Sequence, residues 1–360
     1  MSVGRCENAD MAAETSSIAP MLAKSVERVP DADAIDGGYS YEPKWDGFRG
    51  IVRVSGGEVE IGSRGSKPLT RYFPELVEAF ARELPDPCVV DGEIVVRSGP
   101  AGDERLDWEA LGQRIHPADS RVRKLAAETP ASFVAFDLLE LGGESLVDLP
   151  FRERRARLEQ ALGEAPPPVH VTRVTTDAAL ARTWLERFEG AGLDGVIAKP
   201  LEGAYLPNKR AMLKIKHKRT ADVVLVGYRV HKSGSGVGSL LLGLYDDTGE
   251  LRMVGGSSAF TDKRRQELID ELEPLVVRED DGEVADAATD RSRFSSGKDT
   301  SFVPLRPERV LEVGYDQMEG WRFRHTVRFL RWRPDRDAES CRFEQLEVPA
   351  AYDLSAVLER

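Results

Sequence analysis

The sequence predicts an α+β domain followed, after a short basic hinge, by a small β-barrel, and three observations point there. Helical and strand-like apolar patterns alternate from about Pro20 to Met212, short glycine-punctuated strands take over from Asp222, and the polar, basic stretch Lys216–Thr220 lies between. The expected segments are a disordered tail over 1–19, the α+β domain over 20–218, the barrel over 219–347 and a C-terminal tail over 348–360. At 360 residues and 41% hydrophobic content the chain can bury a sizeable core, and about two domains is the size prior.

The elements follow in order. Residues 1–17 are small and polar, and order should begin near Pro20-Met21-Leu22. Ser40–Lys44 reads as a strand entering a tight turn at Asp46-Gly47, and alternation on both sides of Gly56-Gly57 signals a hairpin. Pro74 opens a helix with Leu76, Phe80 and Leu84 on one face. Cys88–Val96 is a strand interrupted by Asp91 and Glu93, which point the same way at period two. Phe133–Leu139 is a further strand. Helices are expected at Arg152–Leu162 and Asp177–Glu189, the second with Leu180, Trp184 and Phe188 as its apolar stripe. Gly195–Lys199 is a strand stopped by Pro200. In the barrel, strands are expected at Val223–Gly227, Leu240–Leu244, Leu251–Gly255, Arg309–Val313 and Thr326–Leu330, and an OB-type barrel suits roughly 120 residues.

Composition narrows the classes. A net charge of -12 argues against a nucleic-acid binder when taken as a sum. Its distribution argues otherwise: Lys209–Lys232 and Arg322–Arg336 are strongly basic, while acids gather at Glu267–Asp290, so a basic face on an acidic body is expected. The cysteines Cys6, Cys88 and Cys341 form no C-x-x-C pair, and five histidines are too scattered for a metal-stapled scaffold. Without a signal-peptide core or a run near about 18 apolar residues, neither secretion nor membrane insertion is expected. The cytosol fits best.

The stretch with most chemical promise is Glu42-Pro43-Lys44-Trp45-Asp46-Gly47-Phe48-Arg49. A neutral lysine attacks phosphorus, and cations near it, such as Lys214 and Lys216, would favour the neutral form. Taken alone, Lys44 is more often an ordinary surface lysine before a turn. Asp91 and Glu93 suit a cation or ribose site, or an edge strand with one wet face. Gly297-Lys298-Asp299-Thr300 is no P-loop, because Ser292 and Asp299 occupy required positions, and Ser233–Gly238 reads as a barrel loop.

Order along the chain decides between these readings. Lys44–Arg49, Ser63-Arg64-Gly65, Asp91–Val95, Phe136–Leu139, Asp194–Lys199, Lys214–Lys216 and Arg331–Arg336 resemble the successive nucleotidyltransferase motifs of ATP-dependent DNA ligases. The likeness runs from Pro20 to about Glu347 and is nearest to the short actinobacterial type called ligase C. It implies a nucleotidyltransferase, ATP-grasp-like adenylation domain and a C-terminal OB-fold.

It also implies roles. Lys44 would take AMP from ATP as a phosphoramide. Glu42 lies where the family recognises adenine, and Phe136 where a ring stacks on it, with Phe133 as fallback. Arg49 and Glu93 match ribose contacts, Glu93 and Asp194 the metal carboxylates for Mg²⁺ or Mn²⁺, Arg64 the 5′-phosphate of nicked duplex DNA, and Lys214 and Lys216 the α-phosphate. Arg333 belongs to the motif that orients pyrophosphate. Asp194 stands where glutamate is usual, and Arg336 where lysine is commoner. The expected protein is a monomer at the bacterial nucleoid, with repair proteins as partners. An mRNA-capping guanylyltransferase or RNA ligase would share the lysine chemistry, and a non-catalytic OB-fold nucleic-acid binder is the alternative of a different class.

Overall fold

The computed structural model describes residues 18–65, 68–285, 287–288 and 301–359. The expected tail over residues 1–17 and the Gly297–Thr300 stretch lie outside them. The chain forms two units, Met1–Lys216 with Pro349–Arg360, and His217–Val348.

In the first unit the alternation around Gly56-Gly57 becomes the hairpin Phe48–Ser55 and Glu58–Ser63, with Ser55 opposite Glu58. Phe48–Ser55 pairs onward with Cys88–Ser98, and that strand with Ala131–Leu141. Asp91 and Glu93 therefore sit on an interior strand, not on a wet edge. Helix Pro74–Glu83 starts with its proline as expected and buries Leu76, Ala79 and Phe80 in the core of this sheet, as helix Phe151–Leu162 does with Leu158 and Leu162.

The second sheet of this unit runs in the order Leu22–Val26, Arg210–Ile215, Val196–Pro200, Tyr39–Pro43. Helix Ala178–Arg187 covers it with Ala178, Ala181 and Trp184, whereas Leu180 of the expected stripe is 42% exposed. Small residues three apart let the helix approach the sheet closely, and Phe188 reaches the core from a following 3-10 turn, stacked 5.6 Å from Trp184. Met21, Ile51, Val89, Leu139, Ile197, Tyr205 and Met212 form a small core drawn from both sheets. The only chain between Tyr39–Pro43 in one sheet and Phe48–Ser55 in the other is Lys44–Gly47.

The expected C-terminal tail is not a tail. Leu354 and Val357 are buried in the first unit, Leu354 N–H donates to Glu104 O (2.8 Å), and the Tyr352 ring lies 5.2 Å from that of Phe188. Apolar residues spaced three apart beyond Pro349 had a core to join.

The second unit is built on the long strand Arg219–Val230, so Arg219 and Thr220 belong to a sheet, opposite Tyr315 and Gly314, and the hinge stretch is shorter than expected. Val237–Tyr245 and then Leu251–Ser257 pair on one side, Val310–Tyr315 and then Arg328–Trp332 on the other. A Val327 N–H bond to Gly256 O (3.0 Å) leads the path back to Leu251–Ser257. Helix Asp262–Leu272, absent from the sequence expectations, is capped by Thr261 and buries Leu268 and Leu272. Among the described residues no helix is long and apolar enough to cross a membrane.

Candidate active site

Lys44 is fixed by backbone on both sides. Its N–H donates to Gly195 O (2.9 Å), and its carbonyl accepts from Asp194 N–H (3.0 Å). Gly195 has φ +127°, and a Cβ there would lie 2.0 Å from Ile215 O. Gly47 keeps a negative φ instead: it is glycine because a Cβ would meet Ile94 O at 2.1 Å. The expected Asp-Gly turn is thus a close crossing between sheets.

Side chains from neighbouring strands converge there. Lys44 Nζ donates to Asp194 Oδ2 at 2.5 Å, and Lys216 Nζ pairs with the same oxygen at 2.8 Å. Burial pushes the Asp194 carboxyl up, but the two ammonium groups outweigh it and hold it below the ordinary range. Lys214, one strand position before Ile215 and opposite Ile197, is pulled down by burial and by the charges of Lys216 and Lys44. Two lysines thus share one carboxylate with Lys214 close enough to feel their charge, a surplus of positive charge suited to phosphate. Arg64 also lowers Lys214 and lines a cleft of about 550 Å³ with Ser63, Thr70 and Asn208.

On the adjoining strands Glu42 is buried and ion-paired with Lys199 at 2.9 Å. Burial raises its carboxyl, against the pull of Lys199. Lys199 Nζ donates to Phe136 O (3.1 Å) and lies 4.7 Å from the ring centroids of both Phe136 and Phe151. Phe133, the fallback ring, packs edge-on against Phe80 in the core and is fully buried.

Arg49 reaches Asp91 through two guanidinium nitrogens and lies 4.6 Å over the Phe136 ring. Tyr205 donates to Asp91 Oδ2 (2.7 Å) and accepts from Met21 N–H (2.9 Å). Burial and the Asp91 charge push the Tyr205 hydroxyl up, so it remains a donor. Glu93 accepts from Gly47 N–H (3.2 Å), and burial pushes its carboxyl up to about 7 against Arg49 and Lys44.

With this geometry in view, the comparisons are specific. The ATP dependent DNA ligase domain model matches residues 20–216, and the ATP dependent DNA ligase C terminal region model residues 233–336. The chain belongs to the ATP-dependent DNA ligase family. DNA ligase C1 of Mycolicibacterium smegmatis is 56% identical over 347 residues, spanning 95% of this chain and 97% of its own length. DNA ligase C of Mycobacterium tuberculosis is 56% identical over 356 residues, with the same 95% and 97% coverage. A solved structure from a structure–function study of Lig E DNA ligases has a similar fold, at TM-score 0.55 and 17% identity, over 88% of this chain and 100% of that one.

As a DNA ligase of this family the enzyme uses ATP. Among the described residues no three His, Cys, Asp or Glu side chains gather as a metal cage. Glu93 and Asp194 are the two site carboxylates that could hold a divalent ion, which would draw its other ligands from phosphate and water; Asp194 meets two lysines and Glu93 the Gly47 N–H. Lys44, Glu42, Arg49, Glu93, Phe136, Asp194, Lys214 and Lys216 all belong to the first unit, as does Arg64. Arg333 belongs to the second, bonded to Asp222 (2.9 Å) and Asp335 (2.8 Å). The sequence reading gave no role to Lys199, although a lysine ending an apolar strand was a visible signal. Tyr205 carried none.

Proposed function

We propose that this DNA ligase seals 3′-hydroxyl/5′-phosphate nicks in duplex DNA by way of an adenylyl group carried on Lys44, in the service of DNA repair. The observation that carries the reading is the Lys44–Asp194–Lys216 cluster at the crossing between sheets. In the first step Lys44 Nζ bonds to the α-phosphorus of ATP, the bond to pyrophosphate breaks, and the amine sheds a proton. A 5′-phosphate oxygen then takes the adenylyl group as the N–P bond breaks, and the 3′-hydroxyl displaces AMP.

Asp194 is the proton acceptor we assign to the first step. While two ammonium groups hold it, its affinity for a proton is low. Phosphates that draw Lys216 away would raise that affinity just as Lys44 must become neutral. Lys214 and Lys216 then bind the α-phosphate. Glu42 and Phe136 take adenine, Arg49 and Glu93 the ribose, Arg64 the 5′-phosphate, and Arg333 pyrophosphate. Mg²⁺ or Mn²⁺ beside Glu93 would spread negative charge on the phosphates.

The strand path of the second unit, with a helix between its third and fourth long strands, supports an OB-type barrel over about 219–347, after an ATP-grasp-like adenylation domain over about 20–218. A monomer working in the cytosol at the nucleoid beside repair proteins completes the reading, of which the free, buried Cys88 and Cys341 support the reducing compartment alone. Sealing of a nicked duplex with ATP and Mg²⁺ tests it. Wild type should seal and Lys44→Ala should not; sealing by the variant, or protein labelling by GTP in place of ATP, would overturn it.

A further inference from the structure

The Arg322–Arg336 run divides once its contacts are traced. Arg331 pairs with Glu312 (2.6 Å), Arg333 with Asp222 and Asp335, and Arg336 with Asp222 (3.3 Å). Those arginines are tied down within the barrel. The N-terminal end of the run is different, because it forms one arm of a hairpin, Met318–Glu319 against Arg322–Phe323, joined by the two-residue turn Gly320-Trp321.

Gly320 has φ +57°, as such a turn requires. The base is firm. Phe323 is buried against Tyr315 (5.1 Å), and Arg324 N–H donates to Gln317 O (3.1 Å). At the tip, Trp321 is 50% exposed, the one aromatic among the exposed large apolar side chains of the described residues. Arg322 holds its guanidinium 5.4 Å from the Trp321 ring centroid. An indole and a guanidinium side by side on a stiff turn match a surface that alternates flat faces with phosphates. Over Asp316–Arg328 three arginines and His325 face two acids, Asp316 and Glu319, so the local balance also favours a polyanion.

We propose that the Gly320-Trp321 hairpin is a duplex-DNA contact of the second unit, with Trp321 packed on a base or sugar face and Arg322 on the neighbouring phosphate. The assignment rests on the ligase reading above and names a contact that the motif residues do not include.

The test uses the full chain, iodide quenching of tryptophan fluorescence and a nicked duplex. Wild type should show a quenchable component that shrinks when the duplex is added to saturation, as judged by mobility shift. Trp321→Phe should lack that component. Trp321→Ala should raise the KM for nicked duplex roughly tenfold, the usual weight of one base–aromatic stack, and Trp321→Phe should recover most of it. Undiminished quenching with DNA fully bound, or an unchanged KM in Trp321→Ala, overturns the hairpin assignment. Failure of wild type to take label from ATP would remove the ligase reading itself, a separate result.

Discussion

Replacing Lys199 with methionine probes the nucleotide end of the site through a buried charge pair. Lys199 and Glu42 are 3% and 4% exposed at their side chains and 2.9 Å apart. Methionine keeps the length and the contact with Phe136 and Phe151 but removes the one ion-pair partner that Glu42 has among the described residues. Breaking a buried pair from one side costs about 3–5 kcal/mol, because the remaining charge has lost its compensation. The carboxyl can escape by binding a proton. Facing it are Lys199, Arg155 and Asp137, so without Lys199 the balance shifts toward the neutral acid. A carboxyl whose folded value is raised holds more protons in the fold than in the unfolded chain, so stability falls as pH rises from the unfolded value through the folded one. Urea denaturation at several pH values should show Lys199→Met losing stability more steeply with pH than wild type. The pair Lys199→Met with Glu42→Gln should recover most of the loss, since neither charge is then stranded. A loss below about 1 kcal/mol in the alkaline range, or no recovery in the double variant, would refute the reasoning.

Other outcomes follow from the same geometry. Glu93, pushed up to about 7, should gain its charge near neutrality. If it serves ribose or metal as a carboxylate, the KM for ATP in self-adenylylation should fall as pH rises from about 6 to about 8, and Glu93→Gln should flatten that profile. Ending the chain at Val348 strips Leu354 and Val357 from the first unit, each worth about 1.5–3 kcal/mol of buried apolar surface. The truncated chain should melt lower by several degrees, and an unchanged melting temperature would mean these contacts carry no weight. Asp194→Asn should slow label transfer to Lys44 more than it weakens ATP binding, an asymmetry visible as a fall in rate at saturating ATP.

Much of this was legible in the sequence because the chemistry is spread over short motifs in fixed order. Lys44, Glu93 and the Lys214–Lys216 pair are distant from one another in sequence, yet strand pairing brings them to one crossing. What stayed hidden depends on contacts between distant segments. Tyr205 shows no pattern and acts through the Met21 backbone and Asp91. Leu354 and Val357 looked like a tail because their core lies about 170 residues earlier, at Trp184 and Phe188. Helix Asp262–Leu272 is dominated by charge, and its two buried leucines four apart are a faint period. Gly47 was read as a turn when its reason is the approach of Ile94. The charge run at Arg322–Arg336 was visible as a run, but not its division between tethered arginines and a displayed tip.

The central claim is that Lys44 carries the adenylyl group. Incubation with α-labelled ATP and Mg²⁺, followed by acid and alkaline treatment and mass mapping of the labelled peptide, tests it most directly. The account predicts one acid-labile, alkali-stable AMP adduct on the peptide containing Lys44, and none in Lys44→Ala. Label on another residue, or label that survives the substitution, would contradict it.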